Sequence, residues 1–344
     1  MIGFRCDYLE GCHPDILNAL IATNTVQADG YSMDEFCERA EAAIKTACEA
    51  PHAAVHFLVG GTQVNKTTLA WMLRPWQGVL SAHTGHIATH ETGAIESTGH
   101  KVLTLPSEDG TITADQVEAY CNTYFSDNNR EHAVEPGAVY VSHPTESGTL
   151  YSLEQLTKLR EVCDRYAIPL YLDGARLAYA LASPKNELTL PHLANLCHAF
   201  YIGGTKCGAL CGEALVIPSG EDAGIRNMIK QTSGLLAKGR ILGISFETLF
   251  QNDLYHKIGK EAIDFALAIS DGFARRGIPM LMQSWTNQQF PILTQSQLEA
   301  LQENYGFEVW ESLEDGRTVV RFCTSWATTR ESVMKLLEDI MKLS

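Results

Sequence analysis

The strongest constraint on this fold is an alternation of short apolar runs and amphipathic stretches between residues 54 and 217. The runs Ala54–Val59, Gly78–Ala82, Lys101–Leu105, Ala138–Ser142, Pro169–Leu172, Ala199–Ile202 and Glu213–Ile217 are rich in β-branched or aromatic residues. Helical patterns lie between several of them. In Ser152–Tyr166, the residues Leu153, Leu156, Leu159 and Val162–Cys163 recur at helical spacing. Ser152 with Glu154-Gln155 starts that helix, and Ile168-Pro169 closes it. Strands alternating with helices predict an α/β domain built on a mostly parallel sheet.

Past residue 250 the pattern changes. A long helix is predicted over Asp253–Arg276, ending at Gly277-Ile278-Pro279. Short strands follow at Phe290–Leu293, Phe307–Trp310 and Thr318–Cys323, then a helix over Glu331–Leu343. The expected division is a large domain over 1–250, with an N-terminal arm over 1–25, and a small C-terminal α+β domain over 251–344. No linker, repeat or low-complexity segment separates them, so the two are expected to pack tightly.

The chain of 344 residues is 45% hydrophobic and 19% charged, the balance of a globular protein. A formal net charge of −15 without any basic run argues against nucleic acid or an anionic membrane as partner. No apolar stretch approaches the ~20 residues that span a bilayer. MIGFRCDYLEG has neither the basic nor the apolar region of a secretory signal, so a cytoplasmic location is expected. Ten scattered cysteines lack the paired spacing of a disulfide scaffold or zinc ribbon and read as reduced thiols.

Within "FYIGGTKCGALCGEALVI", Lys206 stands between two core strands among glycines, a cysteine and alanines. Lysine is rarely buried. A desolvated loop at a strand end favours the neutral amine that forms a Schiff base with an aldehyde cofactor, and small neighbours would leave room for its ring. Four other segments complete such a site. In "YLDGARL", Asp173 ends an apolar strand, where ligands bind in open α/β sheets, and can pair with a protonated ring nitrogen. Taken alone, it is equally an Asp–Arg structural pair with Arg176. "HFLVGGTQVNKTTLAWML" runs from strand through Gly60-Gly61-Thr62 into a helix, whose open N–H groups can hold a phosphate. It matches neither the Walker nor the dinucleotide spacing, and an ordinary strand–turn–helix junction reads the same. "SAHTGHIATHETGAIESTGH" carries His83, His86, His90 and His100; an imidazole stacked on a planar ligand, or structural histidines, suits it better than a metal site. In "VVRFCTSWATT", Arg321 can offer a planar fork to a carboxylate, or face water from an edge strand. Together these are the parts of a pyridoxal-phosphate enzyme acting on an amino acid.

Nearly the whole chain resembles the threonine aldolases of the aspartate-aminotransferase-like superfamily (fold type I), in the low-specificity branch grouped with β-eliminating lyases. The resemblance rests on "DYLEGCHPDIL", "GGTQVN", "GHIATHETGAIESTGHKV", "LDGARLA", "TKCGALCGEALVI", "KQTSGLLAKGR" and "RFCTSWAT". It implies that Lys206 carries the cofactor, that Asp173 pairs with its ring nitrogen, and that His86 stacks on its face. It further implies that Gly61 and Thr62 hold the phosphate, that Arg176 lies near ring and substrate carboxylate, and that Arg321 binds that carboxylate. It also implies a dimer-based homo-oligomer, a tetramer with sites at dimer interfaces, in which Lys230 and Lys238 reach a neighbour's phosphate.

One departure from the family pattern concerns the reaction. The family's Glu-Asn-Thr-His segment, whose histidine meets the substrate β-hydroxyl, is replaced by "SHPTESG". Glu146 occupies the histidine's place, with His143 three residues earlier, so a carboxylate is expected near that hydroxyl. The implied reaction is cleavage of threonine, allo-threonine or a related β-hydroxy-α-amino acid to glycine and an aldehyde. The alternatives are another pyridoxal-phosphate lyase, a transaminase or racemase, a metal-dependent hydrolase using His83, His86 and His90, and a non-catalytic relative.

Overall fold

The computed structural model describes all residues, 1–344. After a two-residue strand β1 (Ile2–Gly3), the alternating segment forms one seven-stranded sheet. Its strands are β2 (Ala54–Leu58), β3 (Gln77–Ala82), β4 (Val102–Leu105), β5 (Glu135–Ser142), β6 (Leu170–Asp173), β7 (Ala199–Gly203) and β8 (Glu213–Ile217). They lie in the order β2-β8-β7-β6-β5-β3-β4. Only β8 runs against its neighbours; the pairs from β7 to β4 are parallel.

Both faces of this sheet are covered, which is why its strands read as unbroken apolar runs. Successive side chains point to opposite faces. Val139, Val141, Leu170, Leu172, Phe200 and Ile202 therefore enter one core, and Ala138, Tyr140, Tyr171, Ala199 and Tyr201 another. The helix Leu153–Tyr166 starts in a capping box in which Ser152 and Gln155 satisfy each other's backbone N–H groups. Its buried face, Leu156, Leu159, Val162 and Cys163, joins the first core.

The small domain is organised around β13 (Thr318–Cys323). β13 pairs antiparallel with β9 (Gln288–Gln289), β10 (Ile292–Leu293) and β12 (Glu308–Ser312). Of the strand expected over Phe290–Leu293 only Ile292–Leu293 forms; Pro291, which has no N–H to donate, precedes it, and β9 lies just before the expected span. β11 (Tyr305–Gly306) pairs in parallel with β1, and Phe4 is buried in the small-domain core. The first residues of the arm, read above as part of the large domain, are therefore built into the small one. The helix Leu254–Arg275 joins both: Tyr255, Ile258, Ala262 and Ile263 pack in the large core, and Phe265, Ile269 and Phe273 in the small. No helix is long and apolar enough to cross a membrane. All ten cysteines are free thiols.

Sheet register assembles the site. Ser142 lies beside Asp173, and Gly203 beside Glu213, so the ends of β5, β6 and β7 and the start of β8 bring polar groups to one edge. That edge, outside the carboxyl ends of the parallel strands, is where open α/β sheets bind ligands.

Candidate active site

A cavity of about 280 Å³ opens at this edge. Lys206, Asp173, His86, Gly61, Thr62, Arg176 and Glu146, all singled out from sequence, line it. An adjoining cavity of about 290 Å³ shares His86, Glu146, Arg176 and Lys206 and extends to Arg321, Glu308, Gln288 and Trp310. Residues spread over more than 250 positions of sequence thus meet at one place.

Lys206 sits in a short 3₁₀ turn, Thr205–Cys207, directly after β7. Its carbonyl accepts from the Tyr179 hydroxyl at 2.5 Å, which fixes the turn. Burial, with the Arg176 charge, holds the ammonium below its usual range, so the amine gives up its proton more readily. The small residues around it have a different job from the one read in the sequence. None of Gly203, Gly204, Cys207, Gly208 and Ala209 lines either cavity. A Cβ on Gly203 would lie 2.3 Å from the Ala175 carbonyl oxygen, and one on Gly204 would lie 2.5 Å from that of Gly212. Close backbone packing, rather than space for a ring, demands these glycines.

Asp173 is buried, yet its carboxyl lies below the usual range. Burial alone would raise it, but the His86 charge and the donors on it outweigh that. Tyr201 donates to Oδ1 at 2.5 Å and the Ala175 N–H at 3.0 Å; Tyr140 donates to Oδ2 at 2.7 Å and Asn65 at 2.9 Å. Asn65 also donates to Glu91 Oε1 at 2.8 Å, and Glu91 holds His86 Nδ1 at 2.8 Å. A buried chain therefore joins the imidazole expected on a ring face to the carboxylate expected at a ring nitrogen.

The helix Gly61–Met72 begins at Gly60 with no side-chain cap, leaving the first-turn N–H groups open toward the cavity. Arg176, in contrast, has its Nε–NH2 fork occupied. Its Nε and NH2 donate to Asp7 at 2.6 and 3.1 Å, and Asp7 is itself buried and further held by Asn287 at 3.0 Å. The structural Asp–Arg pair weighed above exists, but its acid is Asp7 and not Asp173.

Glu146 lines both cavities. Its Oε1 accepts from the His86 N–H at 3.0 Å and from Ser142 Oγ at 2.8 Å, while Oε2 is buried without a partner. Burial and the nearby Asp173 charge push its carboxyl up. His143 points elsewhere: it accepts the Tyr151 N–H at 3.4 Å and meets Asn186 Oδ1 at 3.2 Å. Burial pushes His143 down to about 4, so it is neutral and outside the site.

Arg321 lies on β13, which has partners on both sides, so it is not an edge-strand residue facing water. It is 9% exposed, and Trp310 lies 5.4 Å from its guanidinium carbon. Lys230 and Lys238 do not line either cavity; the Lys230 ammonium lies 4.8 Å over the Tyr31 ring. Among the histidines, the His86 and His90 rings are 5.5 Å apart, but His83 Nδ1 accepts the Ser107 N–H. No group of three or more His, Cys, Asp or Glu is arranged to hold a metal ion.

Several site residues escaped the sequence reading. Asp7, Asn65 and Glu91 lie inside segments that it quoted, but without a role. Tyr140 and Tyr201 were legible only as hydroxyl-bearing rings, each two residues from the end of its strand. Glu213 opens an apolar strand, lines the cavity beside Lys206, and accepts the Gly204 N–H at 2.8 Å; burial pushes it up to about 7.

These residues fit pyridoxal phosphate: open N–H groups for a phosphate, an ionised acid for a ring nitrogen, and a desolvated amine for an aldehyde. A family model described as beta-eliminating lyase matches residues 4–305. The low specificity L-threonine aldolase of Pseudomonas aeruginosa is 28% identical over 351 aligned residues, which cover 98% of this chain and 96% of that one. A threonine aldolase of Leishmania major is 40% identical with a TM-score of 0.96, over 99% of both chains. A Thermus thermophilus aspartate aminotransferase variant shares the fold at 14% identity and a TM-score of 0.70, over 99% of this chain and 91% of that one. The chain belongs to the beta-eliminating lyase family, as a pyridoxal-phosphate-dependent lyase with the fold-type-I architecture of the aminotransferases.

Proposed function

We propose that this lyase cleaves β-hydroxy-α-amino acids of the threonine and allo-threonine type to glycine and an aldehyde, with Glu146 as the base. The observation that carries this reading is the buried, partnerless Oε2 of Glu146, a residue that lines both cavities together with Lys206. When bound, pyridoxal phosphate supplies the sink for the electron pair left at Cα as the Cα–Cβ bond breaks.

The chain's own groups do the rest. Lys206 would hold the cofactor through its desolvated amine. The first-turn N–H groups at Gly61 and Thr62 would take the phosphate, His86 would lie against the ring, and Asp173 would hold a proton at its nitrogen. Arg321 receives the substrate carboxylate; Arg176, tied to Asp7, acts as a fixed positive wall. Glu146 Oε2 accepts the β-hydroxyl proton, the C–O bond becomes the aldehyde carbonyl, and a proton returned to Cα completes glycine. A carboxylate raised by burial is a stronger base than an exposed one, which suits that role.

Lys230 and Lys238 are assigned to a neighbouring subunit's phosphate in a dimer-based tetramer. Their absence from this chain's own cavities supports that reading, as do the exposed apolar residues Leu9, Leu17, Ile21, Val26 and Met33 near the N-terminus. Ten free thiols suit the reducing cytoplasm.

Product analysis on threonine, allo-threonine, phenylserine and cysteine tests the reaction. Glycine plus aldehyde is expected from the first three; pyruvate from cysteine as the sole activity would replace the aldolase reading with β-elimination. Lys206→Ala should abolish the visible chromophore that borohydride fixes on the wild type. A tag on Lys66 or Lys101 would overturn the site.

A further inference from the structure

Arg321 is the group expected to receive the substrate carboxylate, yet its donors are largely taken. A guanidinium has five N–H bonds, one on Nε and two on each terminal nitrogen. NH2 uses both of its own: one donates to the backbone carbonyl of Arg5 at 3.1 Å, and the other to the Glu308 carboxylate. NH1 donates to Gln288 Oε1 at 3.2 Å. Nε is buried and has no partner. Bidentate recognition of a carboxylate needs two neighbouring N–H groups. The fork made by Nε and NH2 is therefore half open and half occupied.

Of the two acceptors on NH2, only one can leave. The Arg5 carbonyl is backbone, next to Phe4, whose own carbonyl accepts the Cys323 N–H at 2.8 Å and whose N–H donates to the Gly306 carbonyl. Glu308 is a side chain on β12, directly across from Arg321 in the antiparallel pair, and half of it (50%) is exposed. Its stem can swing into water at little cost. The orphaned Nε and the removable Glu308 carboxylate together describe a fork with its own carboxylate as placeholder.

We propose, building on the reading of Arg321 as the carboxylate-binding residue, that Glu308 is a resident competitor that substrate must displace from Arg321. It keeps the resting guanidinium neutralised and makes substrate affinity weaker than the bare fork would give. Glu308 acts through Arg321 and is a positioning residue, so its effect falls on binding more than on turnover.

The test uses the holoenzyme with Glu308→Gln, which keeps the shape and removes the charge, and Glu308→Asp, which keeps the charge. Glycine binding is read from the change in cofactor absorbance, and threonine cleavage from steady-state kinetics. In the Gln variant the glycine Kd and the threonine KM should each fall about tenfold, the weight of one charge-assisted hydrogen bond, with kcat moving less. The Asp variant should lie nearer to wild type. An unchanged or raised Kd in Glu308→Gln, while Arg321→Gln still weakens glycine, would overturn the placeholder and leave the aldolase reading standing. Tighter glycine binding in Glu308→Gln without any threonine cleavage would do the reverse.

Discussion

Asp173, at the end of β6, and Glu146, four residues past the end of β5, both line the cavity, and the fold treats their carboxylates oppositely. Asp173 ends β6 beside Ser142, and Ser142 Oγ binds Glu146 four residues further on. Four donors saturate both oxygens of Asp173. Glu146 receives two donors on one oxygen and none on the other. One carboxyl is accordingly held below the usual range and the other above it. Burial is common to both and cannot explain the difference; the His86 charge and then the four donors pull Asp173 down, whereas at Glu146 the Asp173 charge adds to the effect of burial. The same residue chemistry yields a firmly ionised carboxylate at one place and, in the proposed reaction, a proton acceptor at the other.

Replacing each acid by its amide should break the contrast most visibly. Asp173→Asn removes the permanent anion, and turnover should drop by about 10³-fold, the scale of losing a preorganised electrostatic contact. Stability should fall as well, by about 1–3 kcal/mol, because an amide leaves one of the converging donors unsatisfied. The pH dependence has a definite sign. A depressed pKa contributes stability that is present above the ordinary value of 3.8 and is lost as pH falls through the folded value. Thermal unfolding of wild type and variant at pH 7 and pH 3 should therefore converge at the acid end.

Glu146→Gln should cost about 10²-fold in kcat, with little change in KM, as expected for a lost general base. Its stability effect should have the opposite sign. A raised pKa means that the folded state penalises the ionised form, so stability declines as pH rises from the ordinary 4.5 through the folded value. Glutamine cannot ionise, and the variant should melt higher than wild type at pH 8. The acid limb of the wild-type pH–rate profile, above the ordinary carboxylate range, should vanish with it. A lower melting temperature at pH 8 would show that Oε2 has a partner after all.

A gentler probe removes one donor from Asp173. Tyr201→Phe leaves three, and kcat should fall about tenfold, the value of one hydrogen bond to a charged group. Because the remaining donors hold Asp173 less firmly ionised, the deficit should widen as pH drops toward 5. A deficit that is constant with pH would mean that Tyr201 acts by packing alone.

The smallest effect on activity belongs to His143→Gln, which lies outside the site and should change kcat by less than about twofold. Its effect is on acid stability. The folded state keeps His143 neutral down to about 4, while the unfolded chain protonates near 6.5. Stability is thus lost as pH falls between those values, by as much as about 3 kcal/mol. The variant should flatten that part of the urea-unfolding profile.

Much of this was legible in the chain. Apolar runs separated by helical patterns located all seven strands of the large sheet to within three residues at either end, since a sheet covered on both faces leaves a strong local signal. Lys206 and Asp173 stood out because charged residues interrupt apolar runs at strand ends. Glu146 was found by its departure from a family pattern. Glu213 and Tyr201 were not found, because a polar group inside an apolar strand looks the same whether it meets a ligand or a backbone N–H. Glu308 was equally silent, as a glutamate on an exposed strand is ordinary.

What the sequence determined by itself is the architecture and which lysine, acids and arginines would come to line the cavities, since periodicity and residue type are local properties. The tertiary structure decided what each charge does. Arg176 and Arg321 are both buried guanidiniums beside the cavity, yet one is clamped by Asp7 and the other retains an open Nε. Their partners, Asp7 and Glu308, lie 169 residues before Arg176 and 13 before Arg321. A charged group's pKa, freedom and affinity depend on donors and acceptors within a few ångströms, and only folding brings those from distant parts of the chain.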